Sequence, residues 1–103
     1  MKTAIALFGE RVSPRFDCAQ DFMVINVNHG RITKRQREKI RDWMSIVKVK
    51  RLADLDVETL ICGGVDEKSV EYLRFMGIRV VANVKGGAED AVSSFLDGGL
   101  LPI

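Results

Sequence analysis

The sequence predicts an α/β fold with a mixed five-stranded sheet and elements in the order β-β-β-α-β-α-β-α. Apolar runs near the N-terminus, around Leu60 and around Val80 are typical of strands buried on both faces of a sheet. Helical stripes alternate with the later strands, as in βαβ units whose strands lie parallel. The 103 residues, 47% of them hydrophobic, suffice for one domain spanning 1–103.

Three strands are predicted in the first part of the chain. Residues 3–7 are apolar at nearly every position and form the first, buried strand. Residues 23–27 and 31–35 form the second and third strands, joined by an Asn-His-Gly turn as in a hairpin. The third strand is rich in cations, a common protection of a sheet edge against pairing with other chains.

The segment 39–54 carries two competing patterns. Residues 46–50 alternate in polarity like a strand, whereas other positions form a helical stripe. That stripe consists of Ile40, Trp43, Met44 and Val47. We predict a helix, with Trp43 in the core, because a crossover is needed to carry the chain from the sheet edge to the next strand.

The last part of the chain has clearer signals. Residues 58–62 form a buried strand, and Asp66 is a good N-cap for a helix that ends near Gly77. Residues 78–82 are rich in β-branched side chains and form the last strand. A final helix follows Gly86-Gly87 and stops at Gly98-Gly99; its apolar stripe is Ala88, Ala91, Val92, Phe95 and Leu96.

Three loops are expected to meet at one edge of this sheet. If the first strand lies parallel to the last two, loops 8–16, 62–66 and 83–87 all leave from carboxyl ends of strands. Open α/β sheets bind their ligands at that edge. The loops supply guanidinium groups at Arg11 and Arg15, a thiol at Cys62, and backbone N–H groups beside paired glycines. This combination predicts an anion pocket with one soft ligand.

Each of these signals also has a structural explanation. Paired glycines at a strand end form tight turns, a buried cysteine fills space like a small apolar residue, and exposed arginines are often only solvated. His29 is explained by its hairpin turn better than by metal binding, and Cys18 has no neighbouring residues that would complete a metal site.

No catalytic constellation is evident. The only histidine lies in a turn, so a Ser-His-Asp or Cys-His arrangement lacks a base. The inner strands carry no carboxylates for the two metal ions of a nuclease. An enzyme acting on a phosphorylated small molecule through the same pocket would also lack a general base, so we predict a protein that is not an enzyme.

Positive charge is concentrated in one segment, although the net charge is only +2. Nine of the 16 basic residues lie between Arg31 and Arg51, which we call the basic band. Such a band attracts nucleic acid or an acidic protein, or is simply a solvated surface. Apart from Trp43 it lacks aromatic residues for base stacking, which argues against nucleic acid.

The remaining sequence features point to the cytoplasm. No apolar run is long enough to span a bilayer, and the N-terminus lacks the long apolar region and cleavage site of a signal peptide. Cys18 and Cys62 are far apart, fit no zinc spacing, and are expected to be free thiols.

Five segments together resemble the dinitrogenase iron–molybdenum cofactor-binding family, in the same order along the chain. They are residues 1–6, 11–16, 60–65, 77–80 and 86–92. The resemblance implies a three-layer, ribonuclease H-like α/β fold without nuclease activity. It also implies a role as a small carrier or accessory protein for iron–molybdenum cofactor or a related molybdenum or iron–sulfur cluster, as in prokaryotic members.

One position departs from the family pattern. Many members have histidine after the loop proline, where this chain has Arg15. Arginine cannot ligate a metal but can donate hydrogen bonds to the sulfides or carboxylate of an anionic cofactor. The departure favours outer-sphere binding by this loop.

Two functions are therefore expected. The first is non-enzymatic binding of an anionic metal–sulfur cofactor, with Cys62 as the metal ligand. Its candidate cofactor-binding residues are Arg11, Ser13, Arg15, Cys62, Gly63, Gly64, Gly86 and Gly87. The alternative is a cofactor-free interaction or regulatory module that docks an acidic protein on the basic band.

Overall fold

The computed structural model describes residues 1–103 and contains six strands, three α-helices and a short 3-10 helix at Phe16–Cys18. The strands are β1 (Lys2–Phe8), β2 (Arg11–Val12), β3 (Asp21–Asn28), β4 (Arg31–Lys39), β5 (Thr59–Ile61) and β6 (Arg79–Val81). The helices are α1 (Ser45–Asp54), α2 (Glu67–Phe75) and α3 (Ala88–Leu96).

The strands form one mixed sheet in the order β4-β3-β1-β5-β6. Strand β1 pairs antiparallel with β3 and parallel with β5, which in turn is parallel to β6. The predicted α/β fold and mixed sheet are confirmed. The sequence did not predict β2, which has two residues within the first loop and pairs with the end of β1.

The sheet separates two hydrophobic cores, so the fold has three layers. Alternate residues of β1 point to opposite faces, as the period of a strand requires. Ala4 and Ala6 pack with residues of α1 and α2, whereas Ile5 and Leu7 pack with residues of α3.

The predicted hairpin is present, but its second strand is longer than expected. His29 and Gly30 both have positive φ, 54° and 75°, which is the type I′ conformation that suits a right-twisted hairpin. Strand β4 extends to Lys39, four residues beyond the predicted end, because it pairs with the whole length of β3 down to Asp21.

The predicted helix 39–54 and the core position of Trp43 are wrong in part. The chain remains extended to Lys39, and α1 begins only at Ser45, after Asp42 has taken up a left-handed φ of 66°. Trp43 precedes the helix and is 37% exposed. Lys48 is instead buried on the inner face of α1, beside Val49 and Leu52.

The later elements follow their sequence signals. The Asp66 carboxylate caps α2 by accepting the Ser69 N–H, and Gly77 stands just after the helix with a φ of 79°. Gly98 has the same left-handed conformation after α3. The longest helix has ten residues, and none combines the length and apolar character needed to span a bilayer.

Candidate functional site

The three predicted loops meet at the carboxyl edge of β1, β5 and β6. The Val12 N–H donates to the Gly86 carbonyl at 2.9 Å, which joins the first loop to the third. The Gly64 N–H donates to the Pro14 carbonyl at 2.8 Å, which joins the second loop to the first. The expected convergence is confirmed, and it follows from the parallel pairing of β1 with β5.

An open cleft of about 320 Å³ lies between these loops. Its lining consists of Arg11, Val12, Pro14, Gly63, Gly64, Asn83, Val84, Lys85 and Gly86. Arg11 and Lys85 are exposed cations, and the lining contains no acidic residue. The electrostatic potential of this cleft therefore favours an anion.

The third loop also presents free backbone donors. The N–H groups of Lys85 and Gly86 donate to no acceptor within the chain. Gly86 has a φ of 98°, a backbone conformation that residues other than glycine rarely adopt. Backbone N–H groups beside two cations form the donor set of an anion site.

Gly63 is required by the packing of the first loop. A Cβ at this position would overlap the Ser13 carbonyl oxygen and would lie 2.6 Å from the Pro14 carbonyl oxygen. Gly64 is less constrained, with the Pro14 oxygen 3.3 Å from a built Cβ. Gly63 thus lets the backbones of two loops approach, rather than only exposing a donor.

Ser13 shapes the first loop and does not line the cleft. Its side chain is buried, and its hydroxyl donates to the Arg15 carbonyl at 2.7 Å. Its backbone N–H donates to the Ala6 carbonyl of β1. Both contacts fix the backbone between Arg11 and Arg15.

Arg15 lies on a neighbouring cleft, not on the one that holds Arg11. Its side chain is 70% exposed and pairs with Asp17 at 2.8 Å. The second cleft is lined by Arg15, Asp17, Ser45, Gly64, Val65 and Asp66. Gly64 lines both clefts, so the two arginines stand on either side of the second loop.

Gly87 is the N-cap of α3 and lies outside the cleft lining. It forms an isolated bridge with Arg11, in which the Ala88 N–H donates to the Glu10 carbonyl. The bridge attaches the start of α3 to the first loop, so Gly87 contributes to the site by holding Arg11 in place.

The predicted role of Cys62 as a metal ligand does not fit its position. Its side chain is 0% exposed and packs with Leu60 and Val80 in the core beneath α1 and α2. Burial raises the pKa of this thiol to about 12, so the thiolate that binds metals is strongly disfavoured. Cys62 directly follows β5 beside the cleft, but its thiol packs into the core and does not line the cleft.

The other potential metal ligands are dispersed. Cys18 is exposed on the 3-10 helix, and His29 lies in the hairpin turn at the opposite end of the sheet. No group of three or more His, Cys, Asp and Glu side chains is arranged to hold a metal ion. The donor set fits the anionic surface of a cluster, through outer-sphere contacts, but does not supply ligands to its metal.

Much of the basic band is engaged within the protein. Arg35 pairs with Glu89, Arg51 with Glu38, and Arg37 with both Glu10 and Asp21. Lys48 is buried. The other five cations form no ion pair; they are Arg31, Lys34, Lys39, Arg41 and Lys50.

Sequence reasoning gave too little weight to two kinds of residue. Lys85 is not among the candidate site residues, although it lines the cleft together with Arg11. In the sequence, Lys48 and Arg37 are simply two members of the basic band. No local signal distinguishes these two from their neighbours, because their partners are carbonyl and carboxylate groups distant in sequence.

The fold and the site together define a small α/β domain with a cationic cleft at a sheet edge. The family model described as dinitrogenase iron-molybdenum cofactor matches residues 1–98, and the chain belongs to this family.

The chain is also similar in sequence to a relative and in structure to solved proteins. An uncharacterized protein of Methanocaldococcus jannaschii, MJ0580, is 24% identical over 105 residues, covering 97% of this chain and 89% of the relative. The crystal structure of PH0822 matches with a TM-score of 0.91 at 20% identity, over 99% of this chain and 94% of that one. The apo form of the orange protein from Desulfovibrio gigas matches with a TM-score of 0.84 at 24% identity, over 99% and 92%. At these identities, the two structures establish the fold.

Proposed function

We propose that the protein binds an anionic metal–sulfur cofactor, iron–molybdenum cofactor or a related molybdenum or iron–sulfur cluster, without catalysing a reaction on it. The observation that carries this proposal is the acid-free cleft where three loops meet, with Arg11 and Lys85 in its lining. Membership in the dinitrogenase iron-molybdenum cofactor family supports the choice of a metal–sulfur anion over other anions.

The residues of the cleft would bind the cofactor in two ways, by charge and by hydrogen bonds. Arg11 and Lys85 neutralise the cofactor's charge, and the guanidinium of Arg11 adds a planar fork of donors. The free N–H groups of Lys85 and Gly86 donate to sulfide or carboxylate acceptors. Hydrogen bonds to a charged acceptor are about twice as strong as neutral ones. Arg15 adds a cation at the neighbouring cleft, and Cys62 supplies no ligand.

Replacement of Arg11 tests this assignment. We expect Arg11→Ala to weaken binding of tetrathiomolybdate, a simple molybdenum–sulfur anion, by about tenfold or more, which equals about 1.4 kcal/mol. The same charge is removed in the control Arg79→Ala, at the opposite end of the parallel strands. Equilibrium dialysis with visible absorption measures both affinities, and the affinity of the unmodified protein should fall as salt is added.

Two results would contradict the proposal. The first is a failure of the unmodified protein to bind either tetrathiomolybdate or an isolated metal–sulfur cofactor. The second is an equal loss of affinity in Arg11→Ala and Arg79→Ala, which would indicate nonspecific attraction to a cationic protein.

A second candidate function is supported by an exposed apolar segment within the basic band. Trp43, Met44, Ile46 and Val47 are all exposed, Met44 by 72%. The unpaired cations Arg41 and Lys50 flank them in sequence. Exposed apolar side chains rimmed by charge are typical of protein interfaces. We infer that an acidic protein partner would dock here, with or without a cofactor in the cleft.

A further inference from the structure

The first site loop, residues 9–20, is fastened at both ends by cations from the basic band. It leaves β1, passes through β2 and the 3-10 helix, and enters β3. Arg11 and Arg15 both lie on it, so the position of this loop sets where their charges stand.

Lys48 holds the end of the loop that follows Arg15. Its side chain is 1% exposed, and its Nζ donates to the carbonyls of Phe16, Asp17 and Ala19 at 3.2, 2.8 and 3.1 Å. An ammonium group has three N–H donors, and all three are used here. The accepting carbonyls belong to the 3-10 helix and its C-cap, where carbonyls commonly lack partners.

Arg37 holds the end of the loop that precedes Arg11. It donates to the Gly9 carbonyl at 2.8 Å and to the Glu10 carboxylate at 3.1 Å. It also bonds Asp21, the first residue of β3. One guanidinium thus ties β4 to both the start of the loop and the strand that follows it.

We propose that Lys48 and Arg37 are positioning residues of the cofactor site, holding the first loop so that Arg11 and Arg15 face the clefts on either side of the second loop. The proposal rests on the proposed function for the identity of the ligand. The contacts themselves do not depend on it.

Lys48 does more than fill space in the core. Burial lowers the pKa of its ammonium, which reflects the cost of removing a charge from water. An apolar side chain of similar length would fill the same space without that cost, but it would remove the donor that three carbonyls share. By donating to three carbonyls, the ammonium group fixes their orientation. Apolar packing alone would not do so.

Replacement of Lys48 by methionine separates positioning from stability. The Cys18 and Ala19 N–H groups donate to the Arg15 and Phe16 carbonyls, so their hydrogen exchange reports the order of the loop. We expect Lys48→Met to accelerate exchange at these two amides and to weaken tetrathiomolybdate binding, each by about tenfold or more. Ile25→Val, a core change in the sheet centre, is the control for general destabilisation.

A matched pair of variants tests Arg37. Arg35 lies on the same strand and also pairs with an acid, so Arg35→Met and Arg37→Met remove the same charge. Only Arg37→Met should accelerate exchange of the Val12 and Ser13 amides and weaken tetrathiomolybdate binding beyond the effect of Arg35→Met.

Ligand binding and hydrogen exchange test the proposed function and the positioning role separately. If the unmodified protein does not bind tetrathiomolybdate, the proposed function fails, while exchange of the loop amides still decides whether the two cations order the loop. Unchanged exchange at all four amides overturns the positioning role. Faster exchange of the loop amides in a variant that still binds tetrathiomolybdate normally also overturns it. In that case the order of the loop would not influence ligand binding.

Discussion

At the scale of single residues, the burial of Cys62 decides how its thiol behaves. The side chain is enclosed by the core on the α1 and α2 side of the sheet, and its pKa is raised to about 12 from the usual 9.0. A thiol that is both protonated and inaccessible does not react with alkylating agents. Cys18 is exposed and has no such protection.

Thiol counting tests this contrast. At about pH 8, an alkylating reagent should modify one thiol per folded chain and two in denaturant, because Cys62 becomes accessible only on unfolding. Cys18→Ser should reduce the count in the folded state to zero. Fast labelling of Cys62 in the folded Cys18→Ser variant would contradict the burial of Cys62. Cys62 would then again be a candidate metal ligand.

The same thiol makes stability depend on alkaline pH. Between pH 9.0 and about 12 the folded chain retains a proton that the unfolded chain loses. The free energy of unfolding should therefore fall as pH rises through this window, by up to about 1.4 kcal/mol per pH unit. Cys62→Ala removes this contribution, so its denaturation curves should give a shallower pH slope there.

At the residue level, sequence position put Cys62 beside the cleft but did not give the direction of its thiol. Cys62 directly follows β5 and shares the face of Leu60, as strand alternation predicts, but the sequence does not give which face the cleft occupies. The role of Gly63 could not be predicted, because it depends on how closely the Ser13 and Pro14 carbonyls approach from another loop. The same holds for the partners of Lys48.

At the scale of elements, α2 begins where its cap chemistry dictates. Asp66 accepts the Ser69 backbone N–H at 3.2 Å and the Ser69 hydroxyl at 2.6 Å. The hydrogen bond from the Ser69 hydroxyl is the main reason that the pKa of Asp66 lies below its usual value. The carboxylate thus stabilises the helix that starts beside the second cleft.

Removing the cap should destabilise the protein in a pH-dependent way. We expect Asp66→Ala to lower the free energy of unfolding by about 1 kcal/mol at neutral pH. Because the folded-state pKa is lowered, this stabilisation is present above the usual Asp pKa and is lost as pH falls through the folded-state value. Urea denaturation of both proteins should therefore converge at acid pH. A constant difference at every pH would show that the carboxylate charge is irrelevant.

Elements with local signals were predicted best. Helices α2 and α3 each have an apolar stripe and a terminal glycine within their own sequence, and α2 also has the Asp66 cap, so their positions needed no knowledge of the fold. Helix α1 was predicted to begin too early because Ile40, Trp43 and Met44 fit its apolar stripe, whereas pairing of β4 with β3 keeps the chain extended to Lys39. Strand β2 consists of two residues and exists only through its pairing with β1.

At the scale of the whole molecule, topology creates the site. The sequence alone allows the parallel pairing of β1 with β5 only as an assumption. Once this pairing is given, the three loops meet at one edge of the sheet. The distribution of charge was less predictable. The basic band divides into cations that hold the fold and cations that face solvent, a division set by acids from β3, α3 and the first loop.

This division separates the two candidate functions physically. The unpaired cations Lys34, Lys39 and Arg41 do not line the cleft. Reversing all three to Glu should abolish binding of an acidic protein partner, because complementarity of charge becomes repulsion. Trp43 is the only tryptophan and lies beside Arg41, so its fluorescence reports docking on this surface.

The same triple variant should leave the cofactor site intact. In about 0.15 M salt, where the Debye length is about 8 Å, its affinity for tetrathiomolybdate should change by no more than about threefold. The matched control reverses Lys68, Arg74 and Arg79, three exposed cations outside the basic band, and should preserve both activities. A triple variant that loses both activities would indicate one continuous binding surface. One that retains acidic-partner binding would show that the basic band is ordinary solvated surface, with the cleft as the functional site.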